Sequence, residues 1–313
     1  MKTVKMRPRT ALMAVLMLMM PPAFASCRPD AIPSGGTTPA GTPTAEARPN
    51  DQAQASVVFD DGFVTAVDAD NRRFLVARAA GDPPQVRAAW FRVAAEAAAA
   101  FETVALGRRV RVWSREPLRE SLPEQGLASK IEILPDAPAP DGWVSRQAAV
   151  AAALADAGGA GADSRALLAV ADAVLALEEQ LWTVRLVRID DALRVTEVSV
   201  DAADGRIIRL KNQAFRIFEP RPSDAVGSSF VVRGKARVFE ATFNWELEDG
   251  HNLLASGHEM TDAGAPGWGN FAFQVRYEQP TNAHLGLILF VHSAKDGSRD
   301  HELILPLKAA DFR

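Results

Sequence analysis

The chain has 313 residues, a formal net charge of -4, and 48% hydrophobic against 24% charged residues. This balance is typical of a globular protein, and the length allows two or three domains. The mild acidity argues against a nucleic-acid-binding protein, which needs a concentrated basic surface. The single cysteine excludes an intramolecular disulfide.

Residues 1–26 have the layout of an export signal peptide. Four basic residues precede an apolar run at 11–20, and the small residues Ala23, Ala25 and Ser26 follow it. The apolar run is too short to span a bilayer, which needs about 20 residues. Cleavage of this segment removes four cations and no anions, so the net charge of the exported protein changes from -4 to -8.

Cys27 lies where a signal peptidase would cut, in the order Phe24-Ala25-Ser26-Cys27. This order resembles the bacterial lipobox, in which the cysteine thiol receives a diacylglycerol and becomes the first residue of the mature protein. The resemblance implies a lipoprotein anchored to the outer face of the cytoplasmic membrane, with the membrane as a partner. The alternative is cleavage after Ala25, which would secrete the protein with Cys27 as a free thiol.

The composition of residues 27–55, which are rich in Pro, Gly, Thr, Ala and Ser, predicts a disordered tether. The pattern of residues 56–136 predicts a small OB-like β-barrel. Strands are expected at 63–67, 74–77, 109–113 and 130–134, around one helix at 94–103. The run 110–113 followed by 120–131 resembles a small uncharacterised barrel domain of Gram-positive surface lipoproteins. Three prolines at 135–140 predict a linker.

Residues 141–212 predict one helix followed by strands. Ser145 is a candidate cap for a helix at 146–156, and strands are expected at 181–189, 195–201 and 206–210. The runs 182–186 and 198–208 resemble a PepSY domain. Such modules occur in protease propeptides and bacterial envelope proteins, so the resemblance implies binding or inhibition and no chemistry.

Residues 213–313 have the clearest strand pattern. Apolar Phe239, Ala241, Phe243, Trp245 and Leu247 alternate with polar residues, which predicts a half-buried strand. Further strands are expected at 253–257, 271–277, 285–291 and 303–307. Short strands at this spacing predict an immunoglobulin-like β-sandwich. The fold class of the whole chain is therefore mainly β with some α+β.

The segments 232–241, 267–271, 293–297 and 304–307 are similar to the immunoglobulin-like domain of bacterial spore germination proteins. The similarity extends over most of residues 213–313. It implies a non-catalytic envelope protein of a spore-forming Gram-positive bacterium that contacts other proteins or wall polymer.

No metal, cofactor or catalytic residue is expected. All five histidines fall in the last segment, but His284 and His292 would lie about 27 Å apart on one strand. Neither they nor His251 and His258 have a short ligand spacing. A hydrolase set of Ser256, His258 and Asp262 lacks the Gly-x-Ser-x-Gly elbow. The fifth histidine is His301.

Two sets of residues are candidates for partner binding. Arg109, Arg111 and Trp113 share one face of a barrel strand, and OB-type barrels bind oligonucleotides or oligosaccharides on such surfaces. The alternative is a solvated strand face. Trp268 lies between two glycines on a loop that either packs over the sandwich or presents the ring to a partner.

These observations predict a non-enzymatic cell-surface lipoprotein that binds envelope proteins or wall polymer in sporulation or spore germination, and no nucleic acid. The alternative function is regulation or inhibition of a secreted protease through residues 141–212.

Overall fold

The computed structural model describes residues 54–158, 167–250 and 252–312. Cys27, the predicted signal peptide at 1–26 and almost all of the predicted tether at 27–55 lie outside the described residues. The described chain is mainly β, as predicted, and contains a barrel, an α+β module and a sandwich. No helix among these residues is long and apolar enough to cross a membrane.

The first part of the described chain closes into a five-stranded barrel. Its elements are β1 (Ser56–Asp68), β2 (Arg73–Ala80), β3 (Gln85–Val93), α1 (Ala98–Phe101), β4 (Arg109–Ser114), β5 (Glu124–Ala128) and β6 (Lys130–Ile133). β1 pairs with β2 and β4, β3 pairs with β2 and β5, and β6 pairs with β4. Only Ser129 separates β5 from β6, so these two strands act as one and close the ring.

The expected helix at 94–103 is shorter than predicted, because only one 3-10 turn at 95–97 and the four residues of α1 are helical.

The α+β module that follows has one helix against a sheet. Its elements are α2 (Arg146–Asp156), β7 (Leu168–Ala176), β8 (Leu181–Arg188), β9 (Val195–Asp201) and β10 (Ile207–Ile208). Ser145 caps α2 as predicted, since its hydroxyl accepts a hydrogen bond from the Ala148 amide at 3.2 Å. The sequence did not predict β7. It also placed the last strand at 206–210, whereas the chain leaves this sheet after Ile208.

The barrel and the α+β module share one sheet and one core. Along β2, alternate residues point into the barrel and out of it, and the outward Leu75 and Ala77 are fully buried. With Trp90 of β3 they pack against Ala169 and Val187 of the module. β2 also pairs in parallel with β7, so a ten-stranded sheet runs through both parts. The face of strands 2 and 3 that OB-type barrels use for ligands is therefore covered by the protein itself.

The last part is the predicted immunoglobulin-like sandwich. Its elements are β11 (Leu210–Lys211), β12 (Phe215–Glu219), β13 (Ala225–Val226), β14 (Ser229–Ala236), β15 (Thr242–Glu248), β16 (Leu253–Met260), β17 (Gly269–Arg276), β18 (His284–His292) and β19 (Arg299–Ala309). One sheet has the order β11-β12-β14-β17 and the other β13-β19-β18-β15-β16. Phe243, Trp245, Phe271 and Phe273 lie between them in a single core.

The alternating run of β15 begins later than predicted. Glu240 and Ala241 adopt left-handed backbone conformations, with φ of 55° and 60°, which lie outside the β region of regular strands. The strand therefore starts at Thr242, and Phe239 is 79% exposed instead of lying on the buried face. Phe243, Trp245 and Leu247 are buried as expected.

Replacement of Leu75 tests the shared core. Leu75→Ala removes a fully buried side chain, so we expect the free energy of unfolding to fall by about 2–5 kcal/mol in urea denaturation. Hydrogen exchange should show lost protection in β8 as well as in β2, because one core holds both strands. Leu193→Ala, at a leucine that is 82% exposed, is the matched control, with an expected change below about 0.5 kcal/mol. Loss of protection in the barrel alone would show that the two parts are independent.

Candidate functional site

Arg109, Arg111 and Trp113 share one half-exposed face of β4, as their spacing predicts. Arg109 holds the carboxylate of Asp61 with two hydrogen bonds, of 3.1 Å from Nε and 2.8 Å from Nη2. Arg78 adds a third of 2.7 Å. Burial raises the pKa of Asp61, but these two guanidinium groups outweigh it and hold the pKa below its usual value.

The rest of this face is also occupied by contacts within the barrel. Arg111 donates from Nε to the Asp60 carbonyl at 3.0 Å and lies 3.6 Å from a carboxylate oxygen of Glu132. The ammonium of Lys130 lies 4.2 Å from the centre of the Trp113 ring. Each guanidinium on the face therefore already meets a carboxylate, and a ligand would have to compete with these partners.

Trp268 lies half-buried on the loop before β17. The guanidinium of Arg216 is 3.9 Å from the centre of its ring and that of Arg237 is 5.0 Å away. The indole nitrogen is buried and has no hydrogen-bond partner among the described residues. Of the two alternatives for this loop, the structure has the ring packed against cations of the sandwich.

Arg216 belongs to a buried ion network that joins the α+β module to the sandwich. Asp201, at the end of β9, accepts a hydrogen bond of 2.7 Å from Arg216 of β12 and another of 2.7 Å from Lys235 of β14. The three side chains are only 1%, 3% and 6% exposed, respectively. Arg216 also donates to the carbonyls of Glu179 and Gln180. Every charge in the network is thus paired, which buried charges require.

Asp204 extends the network towards the surface. Its carboxylate lies 2.8 Å from Lys235 and 2.7 Å from Arg206. Burial raises the pKa of Asp204, but the hydrogen bonds from Arg206 and Lys235 prevail and bring the pKa to about 2. Arg206 also donates to the Asn270 side chain at 2.6 Å, which connects the module to the first residues of β17.

The connection between module and sandwich has no flexible linker. Arg209 is the single residue between β10 and β11, and its guanidinium binds both oxygens of Asp156 at the end of α2, at 2.5 and 2.6 Å. Beside it, Leu181, Ile208 and Phe218 form a small buried cluster. The sandwich is therefore held in one orientation on the module.

The sandwich has a free edge at β17. The Asn270 amide donates to the Asp262 carboxylate at 2.6 Å, and the Asn270 carbonyl accepts from the Asp262 amide at 3.1 Å. The backbone of residue 270 thus faces away from β14, and the strand period of two gives Ala272, Gln274 and Arg276 the same direction. No described residue pairs with these three backbones from outside.

The neighbouring edge, β16, is less suited to pairing. Glu259 lies directly opposite the buried Phe243 and so points inward, where it accepts a hydrogen bond of 3.3 Å from the Trp245 indole. An inward charge is a common device that protects an edge strand from pairing. The inward residues of β17 are Gly269, Phe271, Phe273 and Val275, and none is charged.

Among the described candidate residues, no hydrogen bond joins Ser256, His258 and Asp262. His258 makes its side-chain hydrogen bond with Asn244, and Asp262 binds Asn270, so the set with Ser256 has other partners. Within the described ranges, no three His, Cys, Asp or Glu side chains form a group able to hold a metal ion. His251 lies outside those ranges.

The comparisons with known proteins identify two segments. Residues 215–298 match the family described as the immunoglobulin-like domain of bacterial spore germination, and residues 85–135 match a family described as a protein of unknown function. The searches of curated proteins and of solved structures gave no match. The resemblance of the sandwich to spore germination proteins is thus confirmed. The resemblances of the barrel to lipoprotein domains and of residues 141–212 to PepSY domains stay predictions.

Sequence reasoning missed the buried network. Asp201 precedes Ala202-Ala203-Asp204-Gly205, so it looks like an ordinary turn residue. A weak signal was present in Arg216, which interrupts the otherwise apolar run of Phe215, Ile217 and Phe218.

Replacement of Asp201 tests the network. Asp201→Asn leaves the buried Arg216 without a carboxylate partner and leaves Lys235 with Asp204 alone, so we expect a loss of about 3–5 kcal/mol in the free energy of unfolding, measured in urea. Asp191→Asn changes an exposed carboxylate in a surface pair with Arg194 and should cost less than about 1 kcal/mol. A similar small loss for both variants would contradict the role of the network.

Proposed function

We propose that this protein is a non-enzymatic surface lipoprotein that acts in sporulation or spore germination by binding envelope partners. The observation that carries the proposal is the match of residues 215–298 to the immunoglobulin-like germination family, on a sandwich with a free edge strand. Release of muropeptides by the purified protein would overturn its non-enzymatic part.

The proposed mode of binding is addition of an extended strand from an envelope protein to β17. Ala272, Gln274 and Arg276 offer backbone donors and acceptors along one line, which is what strand addition requires. The outward side chains of β17 stand perpendicular to the sheet, so they do not occupy the position of an added strand, which lies in the plane of the sheet. Because Asn270 is fixed by Asp262 and Arg206, the edge is already in place before a partner binds.

The lipid anchor on Cys27 is part of the same proposal. Cys27→Ala removes the thiol that would carry the diacylglycerol, so we expect the protein to move from the membrane fraction to the medium and to lose incorporation of labelled fatty acid. Secretion of the wild type, with no label incorporated, would instead support cleavage after Ala25.

Replacement of Gln274 tests the edge. Gln274→Pro removes the outward amide hydrogen, and proline is tolerated on an edge strand where that amide faces solvent. We expect a chromosomal Gln274→Pro allele to reproduce the germination or spore-assembly defect of a gene deletion, because the partner strand loses a backbone hydrogen bond and meets the proline ring.

The matched control is Gln274→Ala, which loses the same side-chain hydrogen bonds with Ser229 and Arg276 but keeps the backbone amide. It should germinate like the wild type. Equal amounts of both variants in the membrane fraction, with the same melting temperature, show that folding is unaffected. Normal germination of the folded Gln274→Pro strain would overturn strand addition at β17.

A further inference from the structure

A groove lies at one end of the five-stranded sheet of the sandwich, where β15 and β19 begin and β18 ends. It encloses about 730 Å³. We call it the Phe239 groove, and the side chains that matter for its chemistry are Phe239, Thr242, Asn244, His292, Lys295 and His301. The groove is separate from the β17 edge, which belongs to the other sheet.

The backbone around the groove is strained. Six non-glycine residues among the described ones have a positive φ, and three of these line the groove or adjoin it. They are Glu240, Ala241 and His301, with φ of 55°, 60° and 56°. Such conformations are unfavourable for residues other than glycine and cluster at functional sites. Here the strained turn holds Phe239 in solvent, 79% exposed, beside the polar wall of the groove.

The polar wall offers both donors and acceptors. The side-chain oxygen of Asn244 accepts a hydrogen bond of 3.2 Å from Nδ1 of His258, and its side-chain amide donates to no described residue. Nδ1 of His292 donates to the Gly297 carbonyl at 3.0 Å, which leaves Nε2 as an acceptor in the neutral ring. The Thr242 hydroxyl and the Lys295 ammonium have no partner among the described residues.

This combination fits a sugar. A pyranose ring presents a face of C–H groups that packs on an aromatic ring, and its hydroxyls both donate and accept hydrogen bonds. The fixed charges that line the groove balance, since Arg237 and Lys295 are matched in number by Glu240 and Asp300, so no net charge selects a polyanion. A peptide ligand is less favoured, because the groove has a single exposed aromatic anchor and its walls are side chains, not a free strand backbone.

We propose that the Phe239 groove binds a saccharide chain of uncharged sugar rings, with one ring stacked on Phe239 and its hydroxyls bonded to Asn244 and His292. The inference deepens the proposed function, because it names neutral glycan as the part of the wall that the sandwich recognises. Protein partners would then bind at β17 and glycan at the groove.

The test is calorimetric titration of the full-length protein with the N-acetylglucosamine tetramer, together with cosedimentation with purified Gram-positive peptidoglycan. Phe239→Ala removes the stacking surface, and we expect at least about 10-fold weaker binding of the tetramer. Phe239→Trp keeps an aromatic face and should retain binding within about 3-fold. Phe239 is largely exposed, so neither change removes a core contact.

Phe312→Ala is the matched control, because this other phenylalanine is also exposed, at 42%, and is not part of the groove. It should bind like the wild type. No binding of the tetramer by the wild type, equal binding by Phe239→Ala, or competition by an acidic peptide but not by the tetramer would each overturn the groove as a glycan site.

The glycan site and the proposed function can be overturned independently of each other. If wild type and Phe239→Ala cosediment equally with peptidoglycan, wall binding survives and the groove is excluded. If the tetramer binds in a Phe239-dependent manner but gene deletion leaves sporulation and germination normal, the groove stands and the proposed function falls.

Discussion

The carboxylate of Asp201, held between Arg216 and Lys235, is the constraint on which the arrangement of the protein depends. Two cations and one anion lose their water when the sandwich meets the α+β module, and only direct pairing offsets that cost. Because the pairs need exact geometry, they allow one orientation of the two parts. Arg209 is the single residue between β10 and β11, and its ion pair with Asp156 holds this short connection in place. The chain is therefore too short at this point to allow a second orientation.

A second constraint acts at the other end of the module. The outer face of the barrel hairpin β2-β3 is apolar and packs on β7 and β8, while α2 covers the opposite face of the module sheet. Surfaces that barrels and small α+β modules often use for ligands are therefore covered by other parts of the same chain. The two surfaces that we propose for partners, the β17 edge and the Phe239 groove, lie on the sandwich, which contains the family match at 215–298.

Local sequence patterns predicted helices and strands well where neighbouring residues alone determine the local structure. The Ser145 cap and the alternation from Phe243 to Leu247 depend only on neighbours in sequence, and both are correct. β7 was missed because its alanine-rich sequence shows no clear alternation of apolar and polar residues. Its burial depends on packing against the barrel, which the local sequence does not record. Phe239 was misplaced because the left-handed turn at Glu240 and Ala241 uses neither glycine nor asparagine, the residues that usually mark such turns.

The sequence by itself determined the β-rich class, the sandwich and its family resemblance, because binary patterning and motifs are local properties. Tertiary structure alone decided which faces stay free. The sequence left Arg109 and Trp268 with two alternatives each, and only the structure places Asp61 beside Arg109 and Arg216 beside Trp268. Asp201 looks like a turn residue in the sequence, and only the folded chain brings two cations of the sandwich to it. Such pairings join residues 15 to 52 positions apart, and no local pattern records them.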